Sequence, residues 1–244
     1  MAIDRAQTID SILGGALIIV QPACGYRFAI DSILLGRFAR PRRRARVLEL
    51  GAGCGVVSIM IAALYQPAAV IAVELQPQLA SMIAQNAALN GNLAVTATCA
   101  DLRHSIPGLM PGAFDYVIAN PPYRSERRGR ESPNPQRRAA RSGDDTTLKA
   151  FVSAAARYAN RGGKVAMIFT ASRTVELIAE LKDKSLEAKR IRFVHSRAGE
   201  AATMVLIEAR KAGGIEAVIE PPLFIHGPSG SYSDEARAIL NSIK

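Results

Sequence analysis

Apolar residues along this chain gather into short continuous runs, and the stretches between the runs carry helical spacing. Val47–Leu50 reads as a buried strand that enters a glycine turn, and Val56–Leu64 as the apolar helix after it. Val70–Leu75 is a second buried strand. A helix over Pro77–Asn90 closes at Gly91, Leu93–Cys99 alternates like a third strand, and Tyr116–Ala119 is a fourth. Continuous apolar strands separated by helices predict a doubly wound, mostly parallel α/β sheet covered on both faces.

The flanks are less regular. Leu17–Gln21 reads as a short strand before a turn at Pro22–Gly25, and Phe28–Phe38 as a helix that runs into an Arg-rich connector at Pro41. Beyond the fourth strand, a stretch rich in Arg, Pro, Ser and Gly, 124–145, is expected to be a flexible basic loop. The pattern then predicts a helix over Thr147–Asn160, a turn at Gly162-Gly163, a strand over Lys164–Thr170 and a helix over Arg173–Lys182. Arg190–His195 and Thr203–Ala209 lie close enough in sequence to pair antiparallel. The last helix, Ser233–Ile243, has Ser233 as its cap and two acids in its first turn.

At 244 residues the chain has room for one large α/β domain or two small ones. The expectation is a single domain, 1–244, in which residues 1–45 form an N-terminal extension packed on the core. Every apolar stretch is broken well short of a bilayer span, and the N-terminus lacks the apolar segment of a signal peptide, so no membrane is expected. Cys24, Cys54 and Cys99 form no CxxC and have no His cluster nearby, so they read as reduced thiols in a cytoplasmic protein and not as metal ligands. A formal charge of +10 changes the picture more. Six arginines fall between Arg37 and Arg46 and seven between Arg124 and Arg141, a clustering that points to a polyanion rather than to base composition alone.

Candidate chemistry sits where the strands end. Glu49-Leu50-Gly51-Ala52-Gly53-Cys54-Gly55 joins the first core strand to its helix, and such a turn brings backbone N–H groups close to a ligand. Glu74 closes the next strand, where a carboxylate can accept both hydroxyls of a ribose, and Asp101 follows the third strand, within reach of an adenine amino group. Each piece alone is weak evidence. Their order on consecutive strands is stronger, and the GxGxG spacing tilts away from nicotinamide dinucleotides. Asn120-Pro121-Pro122-Tyr123 then ends the fourth strand. Two prolines stiffen the turn and leave carbonyls without a ladder partner, the Asn oxygen is a further acceptor, and Tyr123 offers a flat face for stacking. Two fixed acceptors suit an –NH₂ group about to act as a nucleophile. His104, His195 and His226 lie outside every motif, and the chemistry needs no strong base.

These residues resemble class I, S-adenosylmethionine-dependent methyltransferases of the amino-methylating group that carries the NPPY tetrad. The resemblance implies a seven-stranded sheet of order 3-2-1-4-5-7-6 whose seventh strand alone is antiparallel. It also implies that Glu49, Gly51, Gly53 and Gly55 surround the methionine part of the cofactor. Glu74 would hold the ribose and Asp101 with Leu102 the adenine, and Leu75 and Asn120 complete the cofactor contacts. Gln21-Pro22, Gly25–Phe28 and Asp31–Leu35 near the start, with Arg192–His195, Met204–Arg210, Glu220–Leu223 and Tyr232 near the end, resemble the bacterial tRNA adenine N6-methyltransferases. That family acts on the adenine beside the anticodon of a valine tRNA. By the same resemblance Asp31 is an extra cofactor contact, although Arg141-Ser142-Gly143 departs from the Arg-His-Glu of the family.

The expected substrate is therefore an anticodon-loop adenine of tRNA stacked on Tyr123, with Arg124, Arg127, Arg128 and Arg130 on the flanking phosphates. Two alternatives stand beside it. A protein glutamine N5-methyltransferase would present the same planar –NH₂, but such enzymes usually carry a recognition domain that has little room here. A non-catalytic RNA-binding protein with a relic cofactor fold conflicts with an intact tetrad. Whether the chain works as a monomer or a homodimer is left open by its residues.

Overall fold

A computed structural model of the chain describes residues 6–24, 27–91, 93–122 and 145–242. Tyr123, the four arginines Arg124, Arg127, Arg128 and Arg130, and the rest of the expected basic loop lie outside the described residues.

The central sheet is assembled in the expected order. From one edge it runs β5 (Val95–Cys99), β4 (Ala69–Glu74), β3 (Arg46–Leu50), β6 (Phe114–Ala119), β7 (Ala159–Thr170), β9 (Ala202–Lys211) and β8 (Leu186–His195). All pair in parallel except β9, which is antiparallel to both β7 and β8. The sheet is two strands longer than expected. The two-residue strands β10 (Val218–Ile219) and β11 (Leu223–Phe224) pair in parallel along β8 and bring the total to nine.

Burial on both faces explains the continuous apolar strands. Leu48, Val117, Val165 and Met167 face α4 (Asp145–Tyr158) and α5 (Thr174–Asp183). Their sequence neighbours Val47, Tyr116, Ile118, Ala166 and Ile168 face α1 (Ile30–Phe38) and α2 (Val56–Tyr65). The last helix, α6 (Asp234–Asn241), is capped as its sequence predicts: the Ala236 N–H donates to Ser233 Oγ at 3.1 Å.

Two elements depart from the sequence pattern. The Gly162-Gly163 turn does not precede β7 but lies inside it as a bulge, because the β6–β7 register jumps from Phe114↔Ala159 to Tyr116↔Lys164. The short strand at Leu17 is half of a hairpin, β1 (Gln7–Ile12) with β2 (Leu17–Pro22). Alternate residues of β2 turn their backbone groups away from β1, and two side chains of α3 (Pro77–Leu89) and its cap close that edge. Asn86 Oδ1 accepts from the Val20 N–H at 2.7 Å while its Nδ2 donates to the Val20 carbonyl at 2.9 Å. Asn90 repeats the pattern one helical turn on, toward the N–H and carbonyl of Ile18 at 2.9 and 2.7 Å. Spacing of four residues on a helix matches two residues of strand, so a pair of amides stands in for a neighbouring strand.

Candidate functional site

The C-terminal ends of β5, β4, β3 and β6 lie side by side, and a cleft of about 280 Å³ opens over them. Gly51 and Gly53 come from the β3–α2 loop, Glu74 and Leu75 from the end of β4, Asp101 and Leu102 from the turn after β5, and Asn120 and Pro122 from the turn after β6. The far wall is α4, through Thr147, Ala150 and Phe151. Glu74 and Asp101 therefore converge with Asn120 and Pro122, as the order of strands requires.

Backbone geometry makes the glycines necessary. Gly51 and Gly53 have φ of +67° and +58°, where L side chains are strained. A Cβ on Gly51 would also sit 2.8 Å from Phe151 Cζ. Phe151 thus packs against the bare Cα of the loop, a contact no local pattern at residue 51 reveals.

Glu74 is buried and braces the loop. Its Oε2 accepts from the Gly53 N–H at 2.9 Å and its Oε1 from the Gln76 N–H at 2.9 Å. Burial raises its pKa, and the N–H groups of Gln76, Gly53 and Leu75 oppose the rise. Leu75, 54 % exposed, forms an apolar lip above it. Asp101 is held from one side. Arg103 donates to it from Nη2 at 2.5 Å, from Nε at 2.9 and 3.0 Å and from its backbone N–H at 2.9 Å, and these bonds pull the carboxyl down to about 2. Arg103 itself lines the cleft, and the sequence pattern does not single it out.

Asn120 is the most informative residue. Its Oδ1 is buried and accepts no hydrogen bond among the described residues. An acceptor in that condition costs about 1–3 kcal/mol unless a donor reaches it, and none of the described residues supplies that donor. No histidine lines the cleft.

Three expected cofactor contacts stand away from the cleft lining. Glu49 lies on the β3 face that packs on α2, 3 % exposed, where it accepts a hydrogen bond from the Ser58 hydroxyl. Burial pushes its pKa up to about 8, with Ser58 lowering it and the nearby Glu74 raising it. Gly55, at φ +87°, is the N-cap of α2 and packs against Ile83. Asp31 is buried near the start of α1 and accepts from the Ser32 N–H at 2.8 Å.

A family model described as the methyltransferase small domain matches residues 29–190, two thirds of the chain. The chain belongs to that family. Its methyl donor is S-adenosylmethionine, and the residues present fit that group: a positive-φ loop for close backbone approach, a buried carboxylate at the end of β4, an acid with an apolar lip beside it, and at the end of β6 a buried acceptor that no described residue engages. Among relatives of this methyltransferase, the tRNA1(Val) (adenine(37)-N6)-methyltransferase of Aeromonas hydrophila is 29% identical over 214 residues, covering 86% of this chain and 87% of its own. The protein of the same name from Porphyromonas gingivalis is 29% identical over 235 residues, covering 89% and 88%. Solved structures share the fold at lower identity. A predicted O-methyltransferase, protein Atu636 from Agrobacterium tumefaciens, superposes with a TM-score of 0.68 at 22% identity over 86% of this chain and 94% of its own. TYW2 of M. jannaschii in complex with AdoMet superposes with a TM-score of 0.60 at 17% identity over 86% and 88%.

Proposed function

We propose that this methyltransferase transfers a methyl group to the exocyclic N6 of an adenine in tRNA, at position 37 of the anticodon loop. The observation that carries the reading is Asn120 Oδ1, a buried acceptor at the end of β6 with no partner among the described residues. An amino group conjugated to a ring or a carbonyl is the donor such an atom fits, and the relatives named for adenine-37 methylation support tRNA as its source.

When bound, S-adenosylmethionine supplies an electrophilic methyl on a sulfonium sulfur. Glu74 is the proposed ribose acceptor, and Asp101 with Leu102 and Leu75 the adenine subsite, while Gly51 and Gly53 approach the methionine part and Glu49, Gly55 and Asp31 brace them. Asn120 Oδ1 accepts one N–H of the substrate amino group and the Pro121 carbonyl the other. Pro122 stiffens the turn and Tyr123 stacks on the base. Two acceptors turn the nitrogen lone pair toward the methyl and stabilise the positive charge that grows on nitrogen as its bond to carbon forms. The extra proton is acidic once the nitrogen is methylated, so it leaves to water without a dedicated base. Arg124, Arg127, Arg128 and Arg130 are the proposed phosphate contacts beside the flipped base. The chain acts as a single domain in the cytoplasm, with residues 1–45 as an extension packed on the core; among the described residues no helix is long and apolar enough to cross a membrane.

Labelled methyl transfer tests the reading. Purified protein with unmodified tRNA should yield N6-methyladenine on digestion, and tRNA from cells lacking the protein should miss that nucleoside at position 37. Label on a release-factor glutamine and none on RNA would replace the substrate while keeping the clamp.

A further inference from the structure

Six arginines lie between Arg37 and Arg46, and none of them lines the cleft. Topology gives the reason. Arg46 begins β3, and the opposite end of that strand delivers Gly51 to the cleft. Five residues of strand separate the two rims of the sheet by about 17 Å.

Arg42, Arg43, Arg44 and Arg46 are exposed along this opposite rim. Arg161 joins them from the bulge of β7, and Arg210 from the end of β9, its Nε donating to the Gly162 carbonyl at 3.1 Å. Among the described residues, Asp115 and Glu187 are the acids set against these six arginines. Asp115 is already engaged, accepting from the Arg46 N–H at 2.9 Å, from Arg42 Nη2 at 3.1 Å and from Asn160 Nδ2 at 3.1 Å. Those contacts hold its carboxyl below the usual range. Glu187 faces Arg210 across the β8–β9 ladder. Arg43, Arg44 and Arg161 have no acidic partner among the described residues. Crowded like charges destabilise the folded chain and attract a counter-charged partner.

We propose that this rim is a second docking surface for RNA, one that holds backbone phosphates away from the loop being methylated. The inference rests on the tRNA reading above and extends it from one base to the body of the substrate. Arginine forks match phosphate oxygens in pairs. An acidic membrane is a poorer match, because a membrane-binding surface sets an apolar face beside its cations. Residues 42–46 and 160–164 offer no exposed apolar side chain, since Ala45 is buried.

Two RNAs separate the rim from the cleft: the full-length unmodified tRNA and its isolated anticodon stem-loop. Binding of each is measured by fluorescence anisotropy across a salt series, for the wild type and for R43A/R161A. Both side chains are exposed and unpaired, so the variant should melt with the wild type. Its affinity for full-length tRNA should fall about tenfold, and the salt slope by about two, one for each arginine. Affinity for the stem-loop and turnover on it should stay unchanged. Unchanged affinity for the full tRNA overturns the proposal, and so does an equal loss on both RNAs. Loss of binding to phosphatidylserine vesicles with tRNA binding intact would also overturn it. Methyl transfer by the wild type is read in the same series. Its absence would refute the substrate reading itself, whereas an active wild type with an unaffected variant refutes the docking rim alone.

Discussion

Replacing Asn86 by alanine should be among the most damaging single substitutions outside the cleft. The side chain is fully buried and makes three bonds to backbone: from the Val20 N–H, to the Val20 carbonyl, and to the Cys54 carbonyl at 2.8 Å. Alanine leaves all three groups buried without partners, at about 1–3 kcal/mol each, so a loss of roughly 3–9 kcal/mol is expected. Asn90 makes the equivalent bonds to Ile18 where solvent can reach them. Water replaces its amide after truncation, and Asn90→Ala should lose only about 1 kcal/mol. Urea unfolding of both variants, read as a midpoint shift at constant slope, measures the difference. Because Cys54 belongs to the glycine loop, N86A should also weaken binding of S-adenosylhomocysteine, and N90A should not. Equal losses for the two variants, or a loss below about 1 kcal/mol for N86A, would refute the argument that desolvation sets the magnitude.

Asn120→Ala should lower kcat by about 10²–10³ while calorimetry finds cofactor affinity nearly intact; an active variant would remove Asn120 from the clamp. Glu49 has a folded pKa of about 8 against an ordinary value of 4.5. A raised carboxyl leaves stability intact below the ordinary value and drains it as pH climbs toward 8, at up to about 1.4 kcal/mol per pH unit. Glu49→Gln keeps an acceptor for Ser58 and should flatten that decline, so parallel urea curves for the two proteins at pH 5.5 and pH 8 would refute the assignment. Gly51→Ala adds a methyl at positive φ against the Phe151 ring and should abolish cofactor binding in calorimetry. G51A/F151L relieves the contact but not the backbone strain, so it should recover only part.

The central half of the fold was legible because its strands are buried on both faces and therefore stand out as uninterrupted apolar runs. β1 was missed for the opposite reason: Gln-Thr-Ile-Asp-Ser-Ile is half-buried and mostly polar, and only its pairing with β2 marks it as a strand. The β7 bulge was read as a turn since two glycines look alike in either setting, and only pairing with β6 distinguishes them. β10 and β11 are two residues each, too short to carry a period. At the cleft, Gly51, Gly53, Glu74, Asp101 and Asn120 sit on strand ends in sequence order, so local motifs already bring them to one rim. Arg103 and Phe151 needed the third dimension. Glu49 stands outside the cleft lining because strand alternation turns its side chain toward α2, where it meets Ser58.

The asparagine-closed edge of β2 has a consequence for the order in which the chain can fold. Val20 and the amide that completes it are 66 residues apart in sequence. At a synthesis rate of about 5–20 residues per second, β2 waits roughly 3–13 s after leaving the ribosome before α3 exists to cover it. During that interval the outward backbone groups of Ile18 and Val20 form an unpaired strand edge, the kind of surface that templates association with another chain. Ribosomes arrested with Asn86 still in the exit tunnel should therefore carry a nascent hairpin more prone to aggregate than one released a few turns of α3 later.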